Sequence, residues 1–144
     1  MTAEAGGVRL LLVRCGERTV AIPAGSLVRV LGPTTVSPVP GSAPELLGLA
    51  QVEGEPVVVL DLARLLGEIP APSASIPAGV QVRLGENHGG ETLALAVDEA
   101  LEFVTVPEGA VRREAGEGPV AGVVTAGGRT AALLDPARLG GGAA

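Results

Sequence analysis

The chain has few side chains that could act chemically on a substrate. Its only histidine, His88, lies among glycine, asparagine and glutamate residues, and this composition predicts an exposed turn. A nucleophilic triad needs a serine or cysteine, a histidine and a carboxylate held together, and a turn is a poor place to hold a base. Cys15 is flanked by Arg14 and Arg18, whose charges could lower the pKa of its thiol. The simpler interpretation is a small residue at a strand end, so neither residue predicts catalysis.

Two aspartates, Asp61 and Asp135, could be taken for the paired carboxylates of a duplicated protease. Neither is followed by the glycine that such sites use, and each precedes a short helical pattern, which predicts helix N-caps instead. The glycine-rich stretch 116–122 lacks the lysine and the following serine or threonine of a phosphate loop. No group of cysteine, histidine and carboxylate has the spacing of metal ligands. We therefore predict no catalytic residue, no cofactor and no metal, in a protein that is not an enzyme.

The elements that position these residues are short apolar runs bounded by glycine, proline and other turn residues. Runs of four to eight apolar residues at such close intervals predict an all-β sandwich or barrel. Two short helices are predicted after the aspartates, at 62–66 and 136–139, and the proline-rich stretch 32–44 is predicted to be a surface loop. The predicted strands are 8–14, 19–22, 27–31, 48–52, 56–60, 80–84, 93–97, 101–106, 120–125 and 129–134.

The sequence contains an internal duplication. Residues 54–67 match residues 128–141 at an offset of 74, with identity at seven of fourteen positions, and residues 16–22 match 90–96 at the same offset. Two matches that share one period indicate a duplicated unit. We expect one domain over 1–144, with repeats at about 8–67 and 80–141 joined by a linker at 68–79. This division also allows strands to be exchanged between the repeats.

Composition excludes several classes of protein. The net charge is −6 and the pI is about 4.7, and Phe103 is the only aromatic residue, so neither cation clusters nor stacking residues favour nucleic acid. The first residues have no basic or apolar region typical of a secretory signal. No apolar run is long enough to insert into a membrane. The expectation is a cytoplasmic protein, and a lone cysteine is consistent with a reducing compartment.

One stretch carries a resemblance to a known family. Residues 48–62, which read Gly-Leu-Ala-Gln-Val-Glu-Gly-Glu-Pro-Val-Val-Val-Leu-Asp-Leu, resemble the signature of CheW-like domains. That signature is roughly Gly-Val-Ile-Asn-Leu-Arg-Gly, a few apolar residues, a Val-Val pair and Asp-Leu. The similarity covers about residues 8–139 in order, and further stretches agree with family motifs at 16–23, 39–48, 95–104 and 122–135.

The resemblance implies a fold and a function. CheW-like domains consist of two five-stranded SH3-like sub-barrels, which fits the duplication. Family members are adaptors that tie the histidine kinase CheA, through its own CheW-like regulatory domain, to the cytoplasmic tips of chemoreceptors in chemotaxis or type IV pilus pathways. Transferred by position, the apolar groove between sub-barrels that binds the receptor would involve Leu27, Arg29, Val30, Leu31, Gly48, Val52 and Glu53.

This chain departs from the family in one pair of charges. Where the family usually has an acidic residue in the third strand and an arginine before the hairpin glycine, this chain has Arg29 and Glu53. We hypothesise that the two face each other across neighbouring strands as an inverted ion pair, which would affect the charges that a partner can present. The alternative is two independent surface charges.

Two other functions remain open from the sequence. One is a small β-barrel enzyme or ligand-binding protein, which would need a closed pocket lined by polar groups. The other is a diverged CheW-like module that binds a receiver domain or another adaptor instead of CheA. A shallow groove between barrels favours an adaptor, whereas a closed polar cavity favours an enzyme.

Overall fold

A computed structural model describes residues 7–41, 45–67, 75–84, 91–116, 118–126 and 128–141. His88 and the first part of the predicted linker, 68–74, lie outside these residues. The elements in chain order are β1 (Gly7–Cys15), β2 (Arg18–Pro23), β3 (Leu27–Leu31), β4 (Thr34–Thr35), β5 (Leu46–Val52), β6 (Glu55–Asp61), α1 (Leu62–Leu65), β7 (Ser75–Ile76), β8 (Ala78–Arg83), β9 (Thr92–Val97), β10 (Glu99–Pro107), β11 (Val111–Arg113), β12 (Val120–Ala126), β13 (Arg129–Leu134) and α2 (Ala137–Gly141).

The strands predicted from apolar runs all occur, and the structure adds three short ones. These are β4, β7 and β11, whose polar sequences give no apolar run. Two of them correct predictions directly. β4 lies in the stretch 32–44 that was predicted as loop, and the end of the predicted linker is β7 and the start of β8. Ile76 of β7 is buried because it pairs with Thr34 of β4 and packs inside the fold.

Each main sheet combines strands from both halves of the chain. One sheet, which we call barrel A, has the strand order β10-β1-β2-β13-β12-β11. The other, barrel B, has the order β3-β8-β9-β6-β5. The hairpin β1–β2 therefore completes the barrel formed by the C-terminal strands, and the hairpin β8–β9 completes the barrel formed by β3, β5 and β6. The two halves have exchanged their first hairpins.

Both barrels close in the same way. In barrel A, β10 pairs with β1, and the chain then passes through a 3₁₀ turn to β11, which pairs with β12. In barrel B, β3 pairs with β8, and the chain continues to Ser37, which bridges to Leu49 of β5. In each barrel a single segment thus pairs with β1 and β12, or with β8 and β5, and so joins the two ends of the sheet.

Two glycines allow this closure. Gly48 and Gly122 have φ values of +149° and +158°, and a side chain at either would overlap a backbone carbonyl of the closing segment, at Ser37 or Arg112. Both lie at register shifts in their strands. Only glycine lets the two backbones approach this closely.

The strand pairing corrects part of the sequence match. Val59 of β6 pairs in parallel with Ala94, and the corresponding Leu133 of β13 pairs with Ala21. The equivalent residues are therefore 74 positions apart in β6 and β13 but 73 apart in β2 and β9. The match of 16–22 with 90–96 is out of register by one residue, because side chains must alternate between the inside and outside of each barrel.

The apolar side chains form three clusters. Barrel A has an interior that includes Leu10, Leu12 and Leu133, and barrel B has one that includes Val36 and Val59. A third, central cluster lies between the two sheets and contains residues of both. Its buried members are Leu11, Val13, Cys15, Val20, Ile22, Leu62, Val80, Val82, Leu84, Leu93, Leu95, Val97, Leu134 and Leu139.

Candidate functional site

The residues assigned by resemblance to a receptor groove lie in barrel B. Four come from β3 and three from β5 and the turn that follows it. β3 and β5 are the two outer strands of the five-stranded sheet, so the residues line the seam where this barrel closes. The structure therefore brings the two groups together, although they are about twenty residues apart in sequence.

An ion pair spans this seam. Arg29 Nη1 lies 3.1 Å from Glu53 Oε2, so the predicted pairing is confirmed. The two strands are not hydrogen-bonded neighbours, as the hypothesis assumed, but the opposite edges of the sheet. With side-chain exposures of 40% and 73%, the pair contributes only about 0 to 1 kcal/mol to stability. Its main effect is to fix a cation and an anion side by side on the surface.

Glu53 occupies an unusual backbone conformation. Its φ is +54°, and it is the only non-glycine residue with a positive φ among the described residues. The residue at the matching sequence position, 74 residues further on, is Gly127. A side chain in the left-handed region costs about 1 kcal/mol relative to glycine. Barrel B thus keeps a carboxylate where a glycine would be less strained, and that carboxylate meets Arg29.

The other five residues of the set differ in accessibility. Val30 is 44% exposed and is the only large apolar side chain of the set that is open to solvent. Leu27 and Leu31 are half-buried against the central cluster and the interior of barrel B. Val52 and Gly48 are buried, so they shape the seam and do not present side chains to a partner.

Sequence reasoning missed a second exposed apolar residue, Phe103, which is 45% exposed. It pairs with Leu11 of β1 as Val30 pairs with Val80 of β8, and both partners belong to the central cluster. Phe103 and Val30 are therefore equivalent positions of the two barrels, 73 residues apart. The Arg9 guanidinium lies 5.0 Å above the Phe103 ring. A search for the repeat at offset 73 instead of 74 would have found the equivalence.

The reactive side chains have structural roles. Asp61 and Asp135 each accept a hydrogen bond from the backbone N–H two residues on, at 3.1 Å, which confirms both predicted N-caps. Burial raises the pKa of the Asp61 carboxyl above its usual range, against backbone N–H donors and the Arg64 charge that lower it. Cys15 is buried in the central cluster, as the simpler interpretation expects.

Two adjoining depressions open to solvent on the outside of barrel A, where they share Val123 and Thr130. Their other lining residues are mostly threonine, alanine and glycine, with Glu17, Arg18 and Arg112 at the ends. Such sites do not exclude water from a substrate as a catalytic cavity does. Within the described segments, no three histidine, cysteine or acidic side chains come together as metal ligands do.

The described residues thus form two interlocked β-barrels that carry an ion pair and exposed apolar side chains on their surface. A model of the CheW-like domain family matches residues 9–142. Since that match covers nearly the whole chain, the protein belongs to the CheW-like domain family.

A solved structure and a search of curated proteins complete the comparison. The fold is similar to that of the scaffolding protein TtCheW from Thermoanaerobacter tengcongensis, with a TM-score of 0.75, 14% sequence identity and 88% of each chain covered. The curated proteins contain no match to this chain. In the part of the chain that the structure describes, neither helix has the length and apolar character that crossing a membrane requires.

Proposed function

We propose that this chain is a non-catalytic adaptor that couples chemoreceptors to a CheA-type histidine kinase in chemotaxis or type IV pilus signalling. Its partners are the regulatory domain of the kinase and the cytoplasmic tip of a methyl-accepting receptor, so the protein works in the cytoplasm, without a cofactor and without contact with nucleic acid. Membership of the CheW-like family supports this role. The open surface depressions support it further, because an adaptor needs surfaces and no cavity.

The receptor-binding surface in this proposal is the seam of barrel B. One observation carries it: Val30 is exposed on β3, the strand whose Arg29 forms the ion pair with Glu53 across the seam. An apolar residue with charges at its rim is the usual arrangement of a protein–protein contact. Leu27 and Leu31 anchor β3 in the central cluster and in the interior of barrel B, and Gly48 and Val52 are buried in the second edge.

The positions of the cation, Arg29, and the anion, Glu53, determine which charges a receptor can present to this surface. A partner carboxylate is favoured beside Arg29 and a partner cation beside Glu53, and the opposite arrangement is repelled. Because exposed charges act mainly on encounter and on wrong partners, the pair contributes more to selectivity than to affinity. A receptor matched to the usual order of the family would therefore bind this chain less tightly than its own receptor.

Isothermal titration calorimetry tests the proposal with two purified probes encoded in the same genome. One is the regulatory domain of a CheA-type kinase, and the other is a soluble receptor fragment that contains the cytoplasmic tip. Both should bind the wild-type chain. Val30→Asp should weaken binding of the receptor fragment about tenfold or more, because it places a charge at the apolar centre. Absence of binding to both probes by the wild-type chain would contradict the adaptor role.

Two further variants locate the surface. Phe103→Asp is the matched control, because it alters an equally exposed apolar residue at the equivalent place in barrel A, and it should bind the receptor fragment as the wild type does. The double variant Arg29→Glu with Glu53→Arg keeps the ion pair but reverses its order. It should melt at the wild-type temperature and bind the receptor fragment more weakly. If Val30→Asp and the double variant both bind the receptor fragment as the wild type does, this seam is not the receptor-binding surface.

A further inference from the structure

The Arg29 side chain leaves the sheet on the interior face of barrel B. Arg29 pairs with Gln81 of β8, and Gln81 pairs with Ala94 of β9, which is buried in that interior. Directly opposite residues of paired strands lie on the same face, so these three form one row across the sheet. Leu31, two residues after Arg29, packs against the same interior. Of the row, only Arg29 is exposed, at the edge where it meets Glu53.

Gln81, the neighbour of Arg29 in this row, buries a polar atom that has no partner. Its Nε2 donates to Thr92 Oγ1, whereas its Oε1 accepts no hydrogen bond from the described residues. A buried acceptor of this kind remains unfavourable until a donor reaches it. The side chain directly opposite, Arg29, has five N–H donors and contacts Glu53 through Nη1. Opposite Cβ atoms lie only about 5 Å apart, so rotation of the longer arginine side chain brings its guanidinium to the amide.

The equivalent row of barrel A lacks both members of this pair. There the outer strand has Glu102, and the residue opposite it is Leu12. A buried amide therefore accompanies a cation on the outer strand in barrel B, and a leucine accompanies an anion in barrel A. This association favours a link between Gln81 and Arg29 over an amide that is present by accident.

We propose that Gln81 is a positioning residue for Arg29 and helps to select the receptor. When a cation of the partner takes the Glu53 carboxylate, the Arg29 guanidinium turns inward and donates to Gln81 Oε1. The inference rests on the proposed receptor-binding function, because the receptor supplies this cation. Gln81 itself does not touch the receptor.

The second acceptor makes the exchange of partners at Glu53 less costly. Arg29 loses its contact with Glu53 and gains a charge-assisted hydrogen bond in surroundings of low dielectric constant. Without Gln81, the displaced guanidinium would stand beside the partner's cation and repel it. The remaining N–H donors of Arg29 stay available to a carboxylate of the receptor. Barrel B therefore favours a receptor that presents a lysine or arginine to Glu53.

A double-mutant cycle in the purified chain tests the contact without any other protein. Glu53→Ala removes the carboxylate as a partner cation would, so Arg29 should turn to Gln81. In this background, urea unfolding of Arg29→Ala, Gln81→Leu and the double variant should show a coupling of about tenfold in the unfolding equilibrium constant. With Glu53 present, the coupling should stay within about twofold. Gln81→Leu should thus stabilise the wild type but destabilise Glu53→Ala, a reversal that a purely structural role would not produce.

Arg14→Ala is the matched control for this cycle. Arg14 is another exposed arginine that is paired with surface carboxylates, Asp98 and Glu99. Used in place of Arg29→Ala, it should show no coupling with Gln81→Leu in either background. NMR spectroscopy locates the hydrogen bond: the side-chain carbonyl ¹³C signal of Gln81 should move in Glu53→Ala and return when Arg29→Ala is added.

Calorimetry with the receptor fragment tests the role in selection. Gln81→Leu should weaken binding of the fragment about fivefold or more, although Gln81 is buried, and should leave binding of the kinase regulatory domain unchanged. Circular dichroism melting checks that the variant is folded. Unchanged binding of the receptor fragment would overturn the role in selection.

Two results of the cycle would overturn the second acceptor itself. One is the absence of coupling in Glu53→Ala, which is expected if a water molecule satisfies Oε1. The other is equal coupling in both backgrounds, which would mean that Arg29 contacts Gln81 whether or not Glu53 is available. If the wild type binds no receptor fragment, the adaptor proposal fails, whereas the cycle still decides whether Arg29 has a second acceptor.

Discussion

The two barrels share one backbone framework but fill their interiors differently. In barrel A, Leu10 and Leu12 of β1 point into an aliphatic interior. Barrel B has Gly79 and Gln81 at the equivalent positions of β8, which pair with β3 and β9 as β1 pairs with β10 and β2. A methyl group on Gly79 would lie 3.3 Å from Ile76 Cδ1, so Ile76 of β7 fills the space that Leu10 fills in barrel A.

Gln81 adds a second difference between the two interiors, because its side-chain amide lies in the apolar interior of barrel B. Its Nε2 donates to Thr92 Oγ1 at 2.9 Å, whereas its buried Oε1 has no hydrogen-bond partner among the described residues. A buried polar atom without a partner costs about 1 to 3 kcal/mol. The interior of barrel A is therefore the more apolar of the two, and barrel B, which buries an unpartnered amide oxygen, carries the proposed receptor surface.

Substitution of the bulge glycines tests the shared framework and should have the largest effect. Gly48→Ala and Gly122→Ala should each lower the free energy of unfolding by about 3 kcal/mol or more, because the new methyl group overlaps a backbone carbonyl that cannot move aside. Urea unfolding measures both. Gly109→Ala is the control, since a side chain there meets no atom within 4 Å. A large effect in one barrel and none in the other would show that the two closures are not equivalent.

Leu12→Gln gives barrel A the residue that barrel B has. Leu12 is 1% exposed, so the variant should lose about 2 to 4 kcal/mol through lost apolar burial and an amide without partners. Chemical denaturation should show a lower midpoint and an unchanged m value. A loss below about 1 kcal/mol would mean that barrel A accommodates a polar group as readily as barrel B does.

The reverse change, Gln81→Leu, should stabilise the protein. It removes the unpartnered Oε1 from an apolar interior, and the expected gain is about 1 kcal/mol, visible as a higher melting temperature. The hydroxyl of Thr92 loses one partner, so Gln81→Leu combined with Thr92→Val should gain at least as much. Destabilisation of both variants would indicate that the interior of barrel B needs its amide.

The two N-capping aspartates are expected to differ in how their contribution to stability depends on pH, and this effect is the smallest of those predicted. The folded protein holds a proton on Asp61 more tightly than the unfolded chain, whose pKa is near 3.8, because burial raises the folded pKa. The contribution of Asp61 to stability is therefore present below pH 3.8 and is lost as the pH rises through the folded pKa. Asp61→Asn keeps a capping oxygen and removes this dependence.

The measurement is the difference in unfolding free energy between wild type and Asp61→Asn, from about pH 4 to pH 6. As the pH rises, the unfolding free energy of the wild type should fall relative to that of Asp61→Asn. Asp135→Asn is the matched control, because Asp135 is an equivalent cap that is less buried and lies 3.5 Å from Arg138. The same pH trend in both variants would show that burial of Asp61 is not the cause.

Local patterns in the sequence predict most elements but not their partners. The apolar runs locate the long strands because each strand needs an apolar face, and the aspartates mark both helices through their caps. The exchange of the β1–β2 and β8–β9 hairpins leaves no local signal, since either hairpin has the same alternation whichever sheet it joins. The short strands β4 and β7 depend on pairing with each other, so their polar sequences do not reveal them.

Of the candidate site, only the ion pair could be predicted, because the two exchanged charges are visible in the sequence. The hypothesis that Arg29 and Glu53 face each other is confirmed by the ion pair, but the neighbouring strands that it assumed are the opposite edges of the sheet. The burial of Val52 could not be read from its sequence, because it depends on which way β5 faces. Phe103 was missed because it is equivalent to Val30 at an offset of 73, whereas the sequence match used an offset of 74.

The exchanged hairpins also determine when the molecule can fold during synthesis. β2 needs β13 beside it, and these strands are separated by about a hundred residues of chain. A nascent chain on the ribosome therefore cannot complete barrel A until β13 has emerged. Until then the apolar faces of β1 and β2 remain uncovered by their partner strands. A product that terminates before β13 leaves β2 without its parallel partner, so it exposes an apolar strand face that the complete sheet covers.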